Sequence, residues 1–223
     1  MVDLSALATR FERAAAAAGA TGPCDAVFRE LTARYGEPHR HYHTLAHIDA
    51  CLAWLDWFSG SAERSEEVEL ALWFHDAVYD LLSSVNEARS AALARERLAA
   101  LGVRSDAIGR VAAHIEATAT HFAAPGDSAL LVDLDLTILA ARANDFDSFE
   151  RKIRSEYAHV SEATYRAARR RVLEGFLSRV EIYKVAPLRA ELESAARANL
   201  ERRIGELLAP GDAAISVCAG GVR

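Results

Sequence analysis

Cysteine is scarce in this chain, and its three residues, Cys24, Cys51 and Cys218, are odd in number and widely spaced. That distribution suits neither a disulfide framework nor a thiolate zinc site, so the cysteines read as reduced bystanders. Long apolar runs are missing too: nothing approaches the roughly eighteen residues that a membrane-spanning helix needs. The alanine-rich opening MVDLSALATRFERAAAAAGA is broken by Asp3, Arg10, Glu12 and Arg13, unlike the apolar core of a signal peptide. Positive charge is also short, with 26 Lys and Arg against 32 Asp and Glu and a net charge of −6. Nucleic acid or an anionic membrane would not be attracted over the whole surface, although a local basic pocket remains compatible with that balance. The expectation is a cytoplasmic protein with neither nucleic acid nor membrane as partner.

Only five prolines punctuate the chain, and the Val/Ile/Thr alternation that marks strands is nearly absent. Long stretches rich in Ala, Leu, Arg and Glu predict an all-α protein instead. With 223 residues and 51% hydrophobic content, the chain can bury a sizeable core as one domain. Helices are expected at about 3–18, 23–35, 42–59, 65–80, 86–101, 105–121, 134–142, 145–159, 161–181 and 187–208, with ends good to roughly two to four residues. Ser65 before Glu66 and Glu67, Ser105 before Asp106, and Ser161 before Glu162 look like capped helix starts. Residues 1–209 then form one domain, and PGDAAISVCAGGVR, residues 210–223, is expected to be a disordered tail.

Against this apolar helical background stand three polar intrusions. The first is RHYHTLAHIDACLAWLDWF, residues 40–58, which carries three of the chain's eight histidines, His41, His43 and His47, at the head of an apolar helix. The second is SEEVELALWFHDAVYD, where His75 falls on the stripe Val68, Ala71, Leu72, Val78, Tyr79 and Asp76 flanks it. The third is ALLVDLDLTILAA, where Asp135 shares a stripe with Leu131, Val132, Ile138 and Leu139, while Asp133 falls near the expected helix start and could cap it. A carboxylate carried into a core takes up a proton, destabilises the fold or meets a cation. The plainer alternatives are a buried histidine bonded to a carbonyl and an arginine partner for Asp135. Taken together, His47, His75, Asp76 and Asp135 form a ligand set of two nitrogens and two oxygens. Such a set suits Mn²⁺, Fe²⁺, Co²⁺, Ni²⁺, Zn²⁺ or Mg²⁺ and leaves positions open for water and substrate.

The order His47, then the adjacent pair His75-Asp76, then the distant Asp135 resembles the HD superfamily of metal-dependent phosphohydrolases. It looks most like a bacterial branch of predicted HD phosphohydrolases, through YHTLAHI, WFHDAVYD, NEARSA, ATATHF and DLDLTIL in that order. The likeness continues through IRSEYAHV, RRRVLEGFLSR and ARANL, and so covers most of residues 25–205. The resemblance implies an HD-type helical bundle with additional C-terminal helices, one divalent ion or two, and hydrolysis of a nucleotide-like or other small phosphoester. In that chemistry an ion lowers the pKa of water and polarises a phosphoryl oxygen. His47, followed by an aliphatic residue, matches the first ligand position, and Asp76 is the carboxylate nearest the chemistry. His43, one turn earlier on the same face, is expected to line the pocket and donate to phosphate, with Arg40 and Tyr42 at the mouth and His39 and His41 in solvent.

By the same resemblance His121 lies near the substrate phosphate and Glu87 is the general acid/base or water-orienting carboxylate. Arg154 and Arg169 match phosphate-binding arginines, although Glu87 is equally an ordinary first-turn acid and the arginines equally a solvated face. His114 and His121, seven apart on one expected helix face, could extend the site, and a second metal would need a ligand role for one or the other. Because the superfamily also includes di-iron oxygenases, that activity is the alternative, together with a metal-stabilised binding or regulatory protein without turnover. A homodimer is compatible with the sequence.

Overall fold

The computed structural model describes residues 2–209, so the tail expected from Pro210 onward lies outside the described residues. Among them the chain forms ten α-helices and no strand: α1 (Leu4–Ala17), α2 (Asp25–Tyr35), α3 (Leu45–Trp57), α4 (Ser65–Phe74), α5 (Asn86–Ala100), α6 (Ser105–Ala117), α7 (Asp127–Asp135), α8 (Ala143–Glu156), α9 (Glu162–Leu177) and α10 (Ala186–Leu208). Three 3₁₀ turns follow α3, α6 and α7, at Ser59–Ser61, Thr118–Thr120 and Leu136–Ala140. The protein is all-α, as its composition and period predict.

Helix α4 is the hub, packed against α1, α3, α5, α6 and α7. Its residues Glu67 through Phe74 are all buried, as expected of a helix surrounded on every side. Two of those eight are acids, and each meets an arginine. Glu67, fully buried, receives Nε and Nη2 of Arg110 at 2.6 Å each. Glu69 receives Nε of Arg10 at 3.1 Å, and Arg10 also binds Asp56. Breaking such a pair from one side strands a buried charge, which costs about 3–5 kcal/mol. Arg110→Met is therefore expected to lower stability by stranding the buried Glu67, and Glu67→Leu in the same chain should recover most of the loss. Urea denaturation of the two variants is the check, and equal stability of Arg110→Met and wild type would contradict the role given to the pair.

Helix α4 stops at Phe74 rather than running to about 80, and the reason lies in its neighbours. Tyr35 Oη donates to the Trp73 carbonyl at 3.0 Å, while Arg40 Nη1 and Nη2 donate to the carbonyls of Asp76 and Ala77 at 2.7 and 3.3 Å. Partners from outside satisfy carbonyls that a further turn would have used. His75 and Asp76 consequently sit on a turn at the end of the most buried helix.

Helix α7 also departs from its expected span of 134–142. It starts after Gly126, which holds φ +119, and its last residue is Asp135. There Thr137 Oγ1 donates to the Leu134 carbonyl at 2.8 Å as the chain tightens into the 3₁₀ turn. Asp133 therefore cannot cap the start of its own helix. It is fully buried, and its Oδ2 accepts the N–H of Val185, the residue that leads into α10, at 2.6 Å. Of the three expected serine caps only Ser161 forms, accepting from the Thr164 N–H at 3.3 Å, whereas Ser65 and Ser105 lie inside their helices without a cap bond.

Candidate metal centre

Three helix ends bring the intrusions together: His47 in the first turn of α3, His75 and Asp76 just past α4, and Asp135 at the end of α7. His47 Nε2 lies 3.3 Å from His75 Nε2 and 3.2 Å from Asp135 Oδ1. Asp76 Oδ2 is 3.2 Å from His75 Nε2 and 3.8 Å from His47 Nε2, and His75 Nε2 is 3.6 Å from Asp135 Oδ1. His47, His75 and Asp135 offer ligand atoms that all lie within 4.8 Å of one another, a group that could hold a metal ion.

The donor chemistry fits an ion. Bonds of about 2.0–2.2 Å to nitrogen and oxygen place neighbouring ligand atoms about 3–3.5 Å apart, close to the spacings observed. The tautomer of His75 is decided by its other nitrogen, because Nδ1 lies 2.9 Å from the Leu72 carbonyl, which only accepts. Neutral His75 must then aim the lone pair of Nε2 at His47 Nε2, an arrangement that calls for a proton or a cation between them. In the absence of an ion, protons take that role. Burial opposes ionisation of His75, yet Asp76 and Asp135 hold it well above the ordinary histidine range. In return the imidazoles outweigh burial and hold both carboxylates well below theirs, His75 acting on Asp76, and His121, His47 and His75 on Asp135.

A cleft of about 380 Å³ opens beside the group, lined among others by His43, His75, Asp76, Glu87, His121, Asp135 and Arg169. His43 precedes α3 rather than extending it, and reaches the cleft because a buried carboxylate holds it there. Glu156 Oε1 accepts the N–H groups of His41, Tyr42 and His43 at 2.8, 2.7 and 3.1 Å. Its Oε2 lies 2.8 Å from His43 Nδ1 and accepts from Tyr79 Oη at 2.8 Å. Burial pushes against the ionised form of Glu156, but the His43 hydrogen bond and charge, with the backbone donors, bring it down to about 2. The sequence reading overlooks Glu156. The signal was there, since Phe149, Ile153 and Glu156 form one buried stripe of α8, the same kind of intrusion that marks Asp135.

Several expected site residues lie elsewhere. Arg40 is not at the mouth: its side chain is fully buried and spends its donors on Glu37 and on the carbonyls of His43, Asp76 and Ala77. Arg154 is outside the cleft, bonded to Glu162 and to the carbonyls of Tyr157 and Val160, where it closes the end of α8. Arg169 does line the cleft, but its Nε and Nη2 are committed to Glu150. Helix α6 ends at Ala117, so His114 and His121 do not share a face: His114 bonds Ser128 Oγ through Nδ1 at 2.7 Å, away from the cleft. His121 follows the 3₁₀ turn in a left-handed conformation, φ 47, and its Nε2 lies 3.2 Å from Asp135 Oδ2. It thus backs a ligand carboxylate as well as facing the cleft. His39 and His41 are exposed loop residues, as expected, with His39 stacked on Tyr79 and bonded to its carbonyl and the His41 N–H tied to Glu156. Cys51 is free, as expected, and packs against His47, with Sγ 3.7 Å from Nδ1 and a thiol pushed well up by burial.

Asp133 and Asp135 can be told apart by experiment. Burial raises Asp133 to about 6 from 3.8 despite the Val185 N–H, and its Oδ1 has no hydrogen-bond partner among the described residues. A carboxylate with a raised folded pKa is penalised above that value and not below the unfolded one, so the penalty develops between about pH 4 and 6. Asp133→Asn keeps an oxygen for Val185 and removes the charge. It is expected to leave metal content unchanged and to raise the unfolding free energy at pH 7, by up to about 3 kcal/mol at 1.36 kcal/mol per unit, with no gain near pH 3.5. Thermal unfolding at the two pH values checks this, and a loss of metal would move the last ligand to Asp133.

Comparison of the chain with protein-family models, with curated proteins and with solved structures finds no match.

Proposed function

We propose that the protein is a metal-dependent phosphohydrolase of the HD type, acting on a nucleotide-like or other small phosphoester. The observation that carries this reading is the group His47, His75 and Asp135, whose ligand atoms lie within 4.8 Å of one another, with Asp76 Oδ2 3.2 Å from His75 Nε2, beside a cleft. His47, His75, Asp76 and Asp135 would hold a divalent ion, which supplies a lowered pKa for water and a polarised phosphoryl oxygen. The remaining groups are this chain's own contribution. Burial opposes the charge of His43, but the Glu156 hydrogen bond raises its pKa, and the protonated ring, held by Nδ1 on Glu156, can donate from its other nitrogen to a phosphate oxygen. His121 orients Asp135 from its outer oxygen and faces the same space. Glu87, in the first turn of α5, is the cleft carboxylate placed to orient water or pass a proton to the leaving oxygen.

The imidazole of His121 on the second oxygen of Asp135 is the one feature that favours two ions, and with it the di-iron oxygenase alternative. His114, turned toward Ser128, supplies no further ligand. A metal-stabilised protein without turnover would bind the ion and release no phosphate. Mass-spectrometric metal counting together with a screen of phosphomonoesters, cyclic nucleotides and dinucleotides under Mn²⁺, Co²⁺, Ni²⁺ and Mg²⁺ separates the three. Phosphate release that disappears in Asp135→Asn supports the proposal. Two equivalents of iron with a visible absorption band and no phosphate release would overturn it.

A further inference from the structure

The cleft has two unlike halves. Asp76, Asp135, His43 and His121 bring polar groups to the metal end, whereas the wall from α8, α9 and the Leu136–Ala140 turn is mostly hydrocarbon, with Leu139, Phe149, Ile153, Val172 and Phe176, the last edge-on to His121 at 5.7 Å. Besides Arg169, that wall offers a single polar side chain, the phenol of Tyr157.

Charge narrows the ligand further. Arg169 is the one arginine or lysine lining the cleft among the described residues, and it is held by Glu150, a carboxylate only 2% exposed that also binds Arg203. Lys152, which makes no ion pair or side-chain hydrogen bond among the described residues, lines an adjoining hollow between α3 and α8 that shares Tyr42, Ile138 and Phe149 with the cleft. Glu87, with no side-chain partner among the described residues, places a negative charge at the first turn of α5, where the helix dipole would otherwise draw an anion. A divalent ion would balance Asp76 and Asp135 and leave no positive charge over. Di- and triphosphates are held by clusters of Lys and Arg, and nucleobases by paired donors and acceptors. Among the described residues no cluster of Lys and Arg lines these walls, and the side chains of Asn86, Thr118 and Tyr79, which also line them, are bonded to Asp80, to the Ile115 carbonyl and to Glu156.

We propose that the cleft binds the single phosphate of a small ester of an apolar alcohol, phosphate at the metal end and hydrocarbon against Ile153, Val172 and Phe176. This rests on the phosphoester reading above and narrows its substrate class, away from nucleotides and polyphosphates. The volume of about 380 Å³ is near the lower end of small-molecule sites, which suits a short chain or one ring. Burying one methylene is worth about a fourfold gain in affinity at most, so chain length is a direct probe of the wall.

Calorimetric titration of the Mn²⁺-loaded protein with methyl-, butyl- and hexylphosphonate, and with glucose 6-phosphate, AMP and MgATP, tests this. Affinity is expected to rise about two- to fourfold per added carbon, with glucose 6-phosphate, AMP and MgATP no tighter than methylphosphonate. Val172→Asp, at a position 46% exposed where the core is not disturbed, should flatten the series. A flat or absent series in the wild type, or AMP or MgATP binding about tenfold tighter than hexylphosphonate, overturns the inference. Phosphate release from hexyl phosphate and AMP judges the hydrolase reading separately. Chain-length dependence without release supports the inference and refutes hydrolysis, whereas release with a preference for AMP refutes the inference and leaves hydrolysis standing.

Discussion

His75→Ala and Asp76→Ala are each expected to lose the bound metal while the protein stays helical. Altering a residue that merely orients a ligand costs about 10–100-fold in metal affinity, so removing a ligand should cost more than that. His75 supplies the nitrogen facing His47 across 3.3 Å, and its Nδ1 is anchored on the Leu72 carbonyl, so alanine removes both the donor and its support. Asp76 brings a carboxylate oxygen to 3.2 Å from that same nitrogen. The fold should persist because the hub α4 is held by apolar packing and by the Glu67–Arg110 and Glu69–Arg10 pairs, none of which involves the site. Metal analysis by mass spectrometry after desalting, paired with far-ultraviolet circular dichroism, reads both halves. Wild-type metal content in both variants would end the metal-site account.

The stabilisation that metal confers is expected to grow as pH rises. Without an ion, Asp76 and Asp135 raise His75 well above 6.5, so its protonated ring serves as their counter-charge. That contribution is fully present below the unfolded value of about 6.5 and is lost as pH rises through the folded value. The depressed carboxylates work in the opposite sense: their contribution is present above about 3.8 and is lost as pH falls through their folded values. A metal ion must displace the His75 proton, so each unit below the raised pKa costs about tenfold in apparent affinity, or about 1.4 kcal/mol of linked stability. The melting temperatures of Mn²⁺-loaded and chelator-treated protein should therefore lie closest together below about pH 6.5 and diverge as pH rises above it. A gap that narrows with rising pH would show that no buried imidazole proton competes with the ion.

Where an apolar stripe runs beside a polar face, the sequence places helices well. Helix α5 spans Asn86–Ala100 against an expected 86–101, and α10 spans Ala186–Leu208 against 187–208. Helix α7 is where this approach misleads. Residues Ala129 through Leu134 are all buried, so there is no exposed face from which to take the phase, and the start is set by Gly126. Asp135 reaches the site regardless, as the final residue of a helix rather than a member of its stripe. The end of α4 has a similar origin: nothing in WFHDAVYD stops a helix, and the stop comes from Tyr35 and Arg40, remote in sequence.

The ligand residues are more legible than the residues that support them. A histidine or aspartate carried into an apolar stripe is conspicuous in any sequence, and His47, His75, Asp76 and Asp135 all meet at the site by that rule. Glu156 satisfies the same rule on α8. Arginines give no such signal, because a guanidinium on a helix looks the same whether it faces phosphate, a carbonyl or water. Arg40 and Arg154 accordingly hold backbone carbonyls, and Arg169 a buried glutamate, roles that only the tertiary partners reveal.

Diffraction at the manganese absorption edge from crystals grown with Mn²⁺ tests the central claim most directly. The account predicts an anomalous peak bonded at about 2.0–2.3 Å to Nε2 of His47, Nε2 of His75 and carboxylate oxygens of Asp76 and Asp135, with open positions facing the cleft. No peak among these four residues, with the His47 and His75 nitrogens instead sharing a proton, would contradict it.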